Sequence, residues 1–309
     1  MNSAKEKRVL TKSEKQSRRE KIVSFIVLAV ASVFFLFPLI YMLGNSFKSD
    51  LDLQLHPGSL FPSPGQWTIK HYAGFLVSAQ TGGIDLLPIW MLNSLWSSLA
   101  TVGITVILDL ITAYAVVFLK FKGKKVFMNV LLAWMAIPGV ITIAPMLTLF
   151  NMFSSVFGIE GFSGTYAYIY IWLILPGCTG IYNMLLMRNF FLSIPNDIID
   201  SAKSDGAGHF TVFRKIVCPL ARSTMMLIVL FTFTSAWNNL VWPQLLMAGK
   251  DTYFQTITVA LTGYTGGDSY GAKGIEMATG VFALIPIFII FHITQNKMID
   301  GLASTGVKG

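Results

Sequence analysis

Six long apolar runs constrain this chain more than any other feature. They cover about residues 22–43, 90–118, 127–153, 166–187, 223–247 and 277–296. A membrane-spanning helix needs roughly 20 mainly apolar residues. Each run must be helical, because lipid offers no partner for a free backbone amide. The chain is 54% hydrophobic and 12% charged, where a soluble domain carries about 25% charge. Its solvent is therefore lipid. The fold class expected is an all-α membrane protein with six transmembrane helices. Pro138, Gly139, Pro145, Pro176, Gly177, Pro243 and Pro286 lie inside the runs and predict kinks, re-satisfied by neighbouring helices. The first run is long and no small-residue cleavage site follows it, so a cleaved signal is not expected.

The positive-inside rule sets the orientation. With the N-terminus in the cytoplasm, nineteen of the 23 basic residues fall inside. They are Lys5, Lys7, Arg8, Lys12, Lys15, Arg18, Arg19 and Lys21 in the first tail, and Lys120, Lys122, Lys124 and Lys125 in the next inner loop. Arg188, Lys203, Arg214, Lys215 and Arg222 follow in the long inner loop, and Lys297 and Lys308 in the last tail. Only Lys48, Lys70, Lys250 and Lys273 stay outside. Both termini are thus expected inside, and the net charge of +8 needs no nucleic acid. The expected layout is a loosely ordered basic tail over 1–21, the six-span body over 22–296 and a short cytoplasmic tail over 297–309. The outer loops run over 44–89, Pro/Gly-rich and then a short helix at "IKHYAGFL", and over 248–276, ending in "TGYTGGDSYGAKG". Cys178 and Cys218 show neither metal spacing nor a disulfide framework and read as free.

One inner segment is polar and broken by glycine: "SIPNDIIDSAKSDGAGHFTVFRKIVCPLAR", about 193–220 at its core. Ser193 suits a helix cap and Pro195 a first turn. Asp197 and Asp200 suit the positive end of a helix. Ile198, Ile199 and Ala202 predict one apolar face. The run breaks at Gly206 and Gly208. A second short helix then carries Phe210, Phe213, Ile216 and Val217 on one side until Pro219 stops it. Such a helix–turn–helix is either an ordinary amphipathic surface element or a docking knob for a cytosolic partner. Burying its two isoleucines would supply ~3–6 kcal/mol.

The same residues carry a resemblance. Asp200-Ser201-Ala202, Asp205-Gly206-Ala207, Phe213, Ile216 and Pro219-Leu220 resemble the EAA loop of ABC-importer permeases. Asp200 stands for the usual Glu, Ser201 for the first Ala and Cys218 for a Leu. "AWNNLVWP" (236–243) is similar to the Trp-Asn segment of sugar-importer permeases. "TIKHYAGFL" resembles the family's Asn-Tyr outer segment, with His71 for the Asn. "NSL" (93–95) and "TAYAVVFLKFKGKK" (112–125) match its second span and basic turn. "GLASTGVKG" resembles the tail of maltose-transporter permeases of the MalG type. The resemblance implies a coupling helix over 197–209, between spans four and five, seated in a cleft of an ATPase subunit. The residues carrying it are Asp197, Ile198, Ile199, Asp200, Ala202, Asp205, Gly206, Ala207 and Phe213. It also implies a second permease subunit, an ATPase dimer, an extracytoplasmic solute-binding protein and a sugar substrate, in a bacterial or archaeal cytoplasmic membrane.

No G-x-x-x-x-G-K-[ST], H-E-x-x-H or G-x-S-x-G occurs, so neither ATP binding nor hydrolase or metalloprotease chemistry is expected here. No cofactor is expected in this chain; ATP and Mg belong to the partner ATPase. The fifth run carries Thr232, Ser235, Asn239 and Trp242 as roughly one stripe, with Thr234, Trp237 and Asn238 beside it. Thr232, Ser235, Trp237, Asn238, Asn239 and Trp242 are candidates for the substrate pathway, weighed against simple interhelical bonding at ~0.6 kcal/mol each. Asp109 is the only acid well inside a run. It must face protein or a water cavity, and a structural hydrogen bond or a protonated carboxyl is the favoured reading. A secondary transporter or channel using Asp109 and the stripe without ATP is the competing function. A membrane scaffold is a third, disfavoured by the broken, polar fifth run. Internal inverted repeats, frequent in such carriers, are not evident.

Overall fold

The structure is a computed structural model and describes residues 12–73, 86–159, 161–178, 180–264 and 270–306. Lys5, Lys7, Arg8 and Lys308, the end of the outer segment at 74–76 and the glycine-rich 265–269 lie outside the described residues. The described residues are helical apart from short connections, with one isolated bridge between Lys48 and Trp67. Among the described residues, four helices are long and apolar enough to cross a membrane: Arg19–Ser46, Leu87–Phe118, Gly139–Val156 and Lys273–Met298. Two bent pairs, at 45° and 73°, raise that number to as many as six. The chain divides into two compact units, 1–73 with 267–281, and 74–266 with 282–309.

In the first unit, α1 runs from Lys12 to Ser46. Its helix therefore starts inside the basic tail that the sequence reads as loosely ordered. Its apolar side chains are exposed along its length, as lipid contact requires. The outer segment that follows is tightly built around α2 (Asp50–Leu55), which Ser49 caps through its side chain, an element absent from the sequence reading. Lys48 is fully buried and its Nζ donates to the carbonyls of His56 and Ser59, at 3.0 and 2.6 Å. Buried Asp52 accepts from the Ser63 hydroxyl and amide at 2.6 and 2.9 Å and lies 3.0 Å from His56 Nδ1. α3 (Lys70–Ala73) presents His71 to the carbonyl of Lys48 at 2.9 Å. Gly44 permits the closest approach: a Cβ there would meet the Leu60 carbonyl oxygen at 1.8 Å.

The Ser63 hydroxyl, helped by the Ser63 amide, His56 and Lys48, holds the Asp52 carboxyl down at about 2, against the lift from burial. The folded value lies below the ordinary aspartate value of about 3.9. The stabilisation is thus complete above about pH 4 and is lost as pH falls through about 2. Pepsin cleavage within residues 50–66 should stay slow at about pH 4 and accelerate towards about pH 2. In Ser63→Ala the acceleration should begin at higher pH.

In the second unit, α4 (Leu87–Phe118) is the hub, with α7 (Gly161–Gly177), α8 (Ile181–Leu192), α12 (Arg222–Trp237) and α14 (Ile257–Tyr264) packed around it. Asn93, Ser97, Thr101, Thr105 and Asp109 repeat every four residues on one buried face of it. Ser97 and Thr101 each donate to the carbonyl four residues back. Asn93 donates to the carbonyls of Tyr253 and Gln255 and accepts from Tyr166. This bonding is what the "NSL" residue does: it ties the 3-10 turn Thr252–Phe254 to the start of α4.

The third apolar run is not one helix. It is α5 (Lys124–Met135) and α6 (Gly139–Val156), parted at Ala136–Pro138. Pro138 lacks an amide and biases the residue before it away from helix. The fourth run is α7 (Gly161–Gly177) and α8 (Ile181–Leu192), bent by 45°. The inner loop comprises α9 (Asn196–Ser204), α10 (His209–Val212), a π turn (Phe213–Val217) and α11 (Cys218–Leu220). The fifth run splits into α12 (Arg222–Trp237) and α13 (Val241–Met247). α14 (Ile257–Tyr264) and α15 (Tyr270–Gly306) complete the chain. Pro145 and Pro286 sit within α6 and α15, which are each assigned as single helices.

The inner hairpin and the polar cavity as candidate functional sites

The hairpin is shaped by its own short sequence. α9 ends in a paired closure: the Ala207 amide donates to Ala202 O and the Gly206 amide to Lys203 O, both at 2.9 Å. This Schellman geometry needs a left-handed residue at its centre, and Gly206 has φ +84°. Asp197 in the first turn and Lys203 in the last complement the helix dipole. Ser193 does not cap α9. Its hydroxyl donates to Phe190 O at 2.7 Å, and Pro195 occupies the capping position.

Two further sequence expectations are corrected here. Ile198 and Ile199 do not share a face, because neighbours on a helix point about 100° apart. Ile199 is 3% exposed, in a core with Leu110, Tyr114, Phe191, Val212, Val217 and Ile228. Ile198 is 43% exposed. Likewise Val212 and Val217 face that core, while Phe210 is 72% exposed. Pro219 does not stop the second helix. The π turn absorbs it, with the Cys218 amide bonded five residues back to Phe213 O, and the bend of 73° follows at Ala221.

Of the nine coupling candidates, Ile199, Ala202, Ala207 and Phe213 pack on this chain's own core. Asp197, Ile198, Asp200, Asp205 and Gly206 are exposed. The hairpin is fastened to α4: Tyr114 Oη donates to His209 O at 3.0 Å, and its ring meets Phe213 edge-on at 5.1 Å.

The second site is a cavity of about 230 Å³ beside the breaks in α7–α8 and α12–α13. Three of the six pathway candidates, Thr232, Ser235 and Asn239, line it. Trp237, Asn238 and Trp242 do not. Trp237 is buried against Phe233 and donates to Ala283 O at 3.1 Å. Trp242 donates to Trp172 O at 2.9 Å. Both indoles are satisfied inside apolar clusters, which is why neither turns to the cavity. Asn238 ends α12 and is exposed. Thr234 returns its hydroxyl to Leu230 O.

The sequence reading missed the opposite wall. Ser97 and Thr101 from α4, and Tyr182 and Asn183 from α8, also line the cavity. Asn183 Nδ2 donates to Thr232 Oγ1 at 2.9 Å. The four-residue polar repeat of α4 was the available signal. Asp109 faces protein, at 4% exposed, and among the described residues its Oδ2 has no hydrogen-bond partner. Cys178 and Cys218 are free thiols.

The fold is shared with a solved structure described as a bacterial ABC transporter involved in the import of the acidic polysaccharide alginate. The TM-score is 0.71 at 21% identity, over 93% of this chain and 98% of that one. Residues 105–299, holding the hairpin and most of the cavity, match the family described as binding-protein-dependent transport system inner membrane component. The chain belongs to this family. Similar members include the arabinooligosaccharide transport permease AraQ of Halalkalibacterium halodurans, 27% identical over 93% of this chain and 95% of that protein. The trehalose transport permease SugB of Mycobacterium tuberculosis is 30% identical over 89% and 93%. The maltose/maltodextrin permease MalG of Vibrio vulnificus is 26% identical over 89% and 91%. As a family member the chain is a multi-pass inner-membrane permease component.

Proposed function

We propose that this chain is a permease subunit of a binding-protein-dependent ABC importer that carries a sugar or oligosaccharide into the cytoplasm. The observation that carries the reading is the hairpin: an exposed Asp197–Ile198–Asp200 face on a helix whose other side is built into the transmembrane core. A separate ATPase dimer would grip that face. A second, similar permease subunit would complete the pathway, and a solute-binding protein would deliver the sugar outside. Six spans with both termini in the cytoplasm agree with the distribution of Lys and Arg. The partition into a basic tail to residue 21, a membrane body to 296 and a short last tail belongs to the same reading. In the cavity, the amide of Asn239 and the hydroxyls of Ser235, Ser97 and Thr101 suit exchange of hydrogen bonds with sugar hydroxyls. The mechanism is alternating access. Closure of the ATPases draws the hairpins together, the outer side opens to the binding protein, and hydrolysis resets the path.

The test is purification of the tagged chain from native membranes in mild detergent. A Walker-motif ATPase and a second multi-span subunit should accompany it. Recovery of the chain alone would favour the secondary carrier instead. Asp205→Lys and Gly206→Trp should each cut ATP-driven uptake while insertion is retained. At Gly206 the cost is set by a left-handed backbone that a side chain resists by ~1–2 kcal/mol. Unchanged uptake in both variants would count against docking of the hairpin.

A further inference from the structure

We infer that this chain binds the phosphate headgroup of an anionic phospholipid between the inner end of α4 and the hairpin. The inference goes beyond the importer reading and takes from it only the cytoplasmic placement of the hairpin. An open cavity of about 670 Å³ lies there, lined by Phe118, Leu119, Lys120, Phe121, Lys203 and His209. Two lysines far apart in sequence thus border one space, and no acid lines it. Both are exposed. Among the described residues neither ammonium group has an ion-pair or hydrogen-bond partner. The carbonyls that end α4 do not claim Lys120, because Lys124 serves them: its Nζ donates to Val117 O at 3.4 Å. His209 is fixed in its wall by Tyr114, whose Oη donates to His209 O at 3.0 Å and lies 3.2 Å from Nδ1.

Lys203 is not on the outward face of the hairpin. It follows Ile199 by four residues, about 40° round the helix, on the side of α9 that packs into the core. Asp197 lies about 160° from Ile199, on the opposite side. The space therefore opens between the hairpin and the membrane body. Its other walls say what fills it. Phe118, Leu119 and Phe121 are apolar. Phe121 leads into α5, where Val126, Val130 and Trp134 form an exposed stripe at four-residue spacing. Two ammonium groups beside an apolar wall that continues along a membrane helix suit a phosphodiester with acyl chains attached. Basic pockets on the cytoplasmic side of transmembrane helices hold anionic headgroups in this way. A soluble phosphate would use the lysines and leave the apolar wall bare. A headgroup held by both lysines would tie the hairpin to the inner leaflet.

The experiment uses the full chain, purified in mild detergent with the subunits that accompany it, stripped of lipid and titrated with phosphatidylglycerol or phosphatidylcholine. Bound lipid is read by native mass spectrometry. Phosphatidylglycerol should bind the tighter of the two. Lys120→Gln combined with Lys203→Gln should weaken its binding by at least about tenfold, the loss of a hydrogen bond to a charged group. Phosphatidylcholine binding should not change. Lys122→Gln combined with Lys125→Gln removes the same charge outside the cavity and, at about 0.15 M salt, should cost less than about threefold. All four lysines are exposed, so neither variant opens the core. Equal losses in the two variants overturn the inference, since they mark diffuse attraction to the basic turn. Equal binding of the two lipids by the unmodified chain overturns it as well. Displacement of phosphatidylglycerol by an equal concentration of inorganic phosphate would replace the lipid with a soluble anion and overturn the lipid assignment. Neither sugar nor ATP enters the titration, so a negative result leaves the importer reading standing.

Discussion

Ile198→Asp is expected to stop ATP-driven sugar uptake while the chain still folds and inserts. Ile198 is 43% exposed and contributes little to its own subunit. In a partner's groove it would contribute about 1.5–3 kcal/mol, and a charge there would carry a further desolvation cost. Uptake should fall by more than about tenfold, and less ATPase should co-purify. Ile199→Asp is the contrasting case. That residue is buried beneath α9 with Val212, Val217 and Phe191, so a carboxylate there has no partner and costs several kcal/mol of folding stability. Its signature is loss of monodisperse protein in detergent. If both variants behaved alike, the division of α9 into an outer docking face and an inner core face would be wrong.

Ser235→Trp is expected to block the pathway without uncoupling the ATPase. Ser235 is exposed and borders the cavity of about 230 Å³. The indole would occupy space otherwise open to substrate, without disturbing the satisfied Asn183–Thr232 pair behind it. Uptake should drop by more than about tenfold, while ATP hydrolysis stimulated by the binding protein persists. Transport at the unmodified rate would show that sugar does not pass this cavity.

The long apolar runs were legible in the sequence because lipid permits so few backbone solutions. Where they break was less so. Pro138 and Gly139, and Pro176 and Gly177, marked two of the breaks, but hydropathy sums composition and is blind to the turn at Asn238–Leu240 that separates α12 from α13. The glycine turn of the hairpin was legible too, since Gly206 sits where only a left-handed residue closes the helix. The faces of α9 were not. Two adjacent isoleucines cannot both turn inward, and the choice belongs to Phe191, Val212 and Tyr114, distant in sequence. The α4 wall of the cavity escaped notice because serine and threonine barely lower the hydropathy of a span. Trp237 and Trp242 misled for the opposite reason: an indole advertises sugar binding, but each spends its one donor on a neighbouring helix.

The shared core beneath α9 makes the hairpin a stiff crank rather than a flexible tether. Ile199, Val212 and Val217 interlock with Leu110 and Tyr114 of α4 and Ile228 of α12, and close-packed interiors compress little. A shove on the exposed face of α9 therefore has no soft joint in which to dissipate. It arrives at the inner ends of α4 and α12 together, and these two helices carry Ser97, Thr101, Thr232 and Ser235 on opposite walls of the cavity. On the proposed reading, torque from the cytosol and the width of the cavity are geared to one another, through about four turns of α4 and about one to two turns of α12.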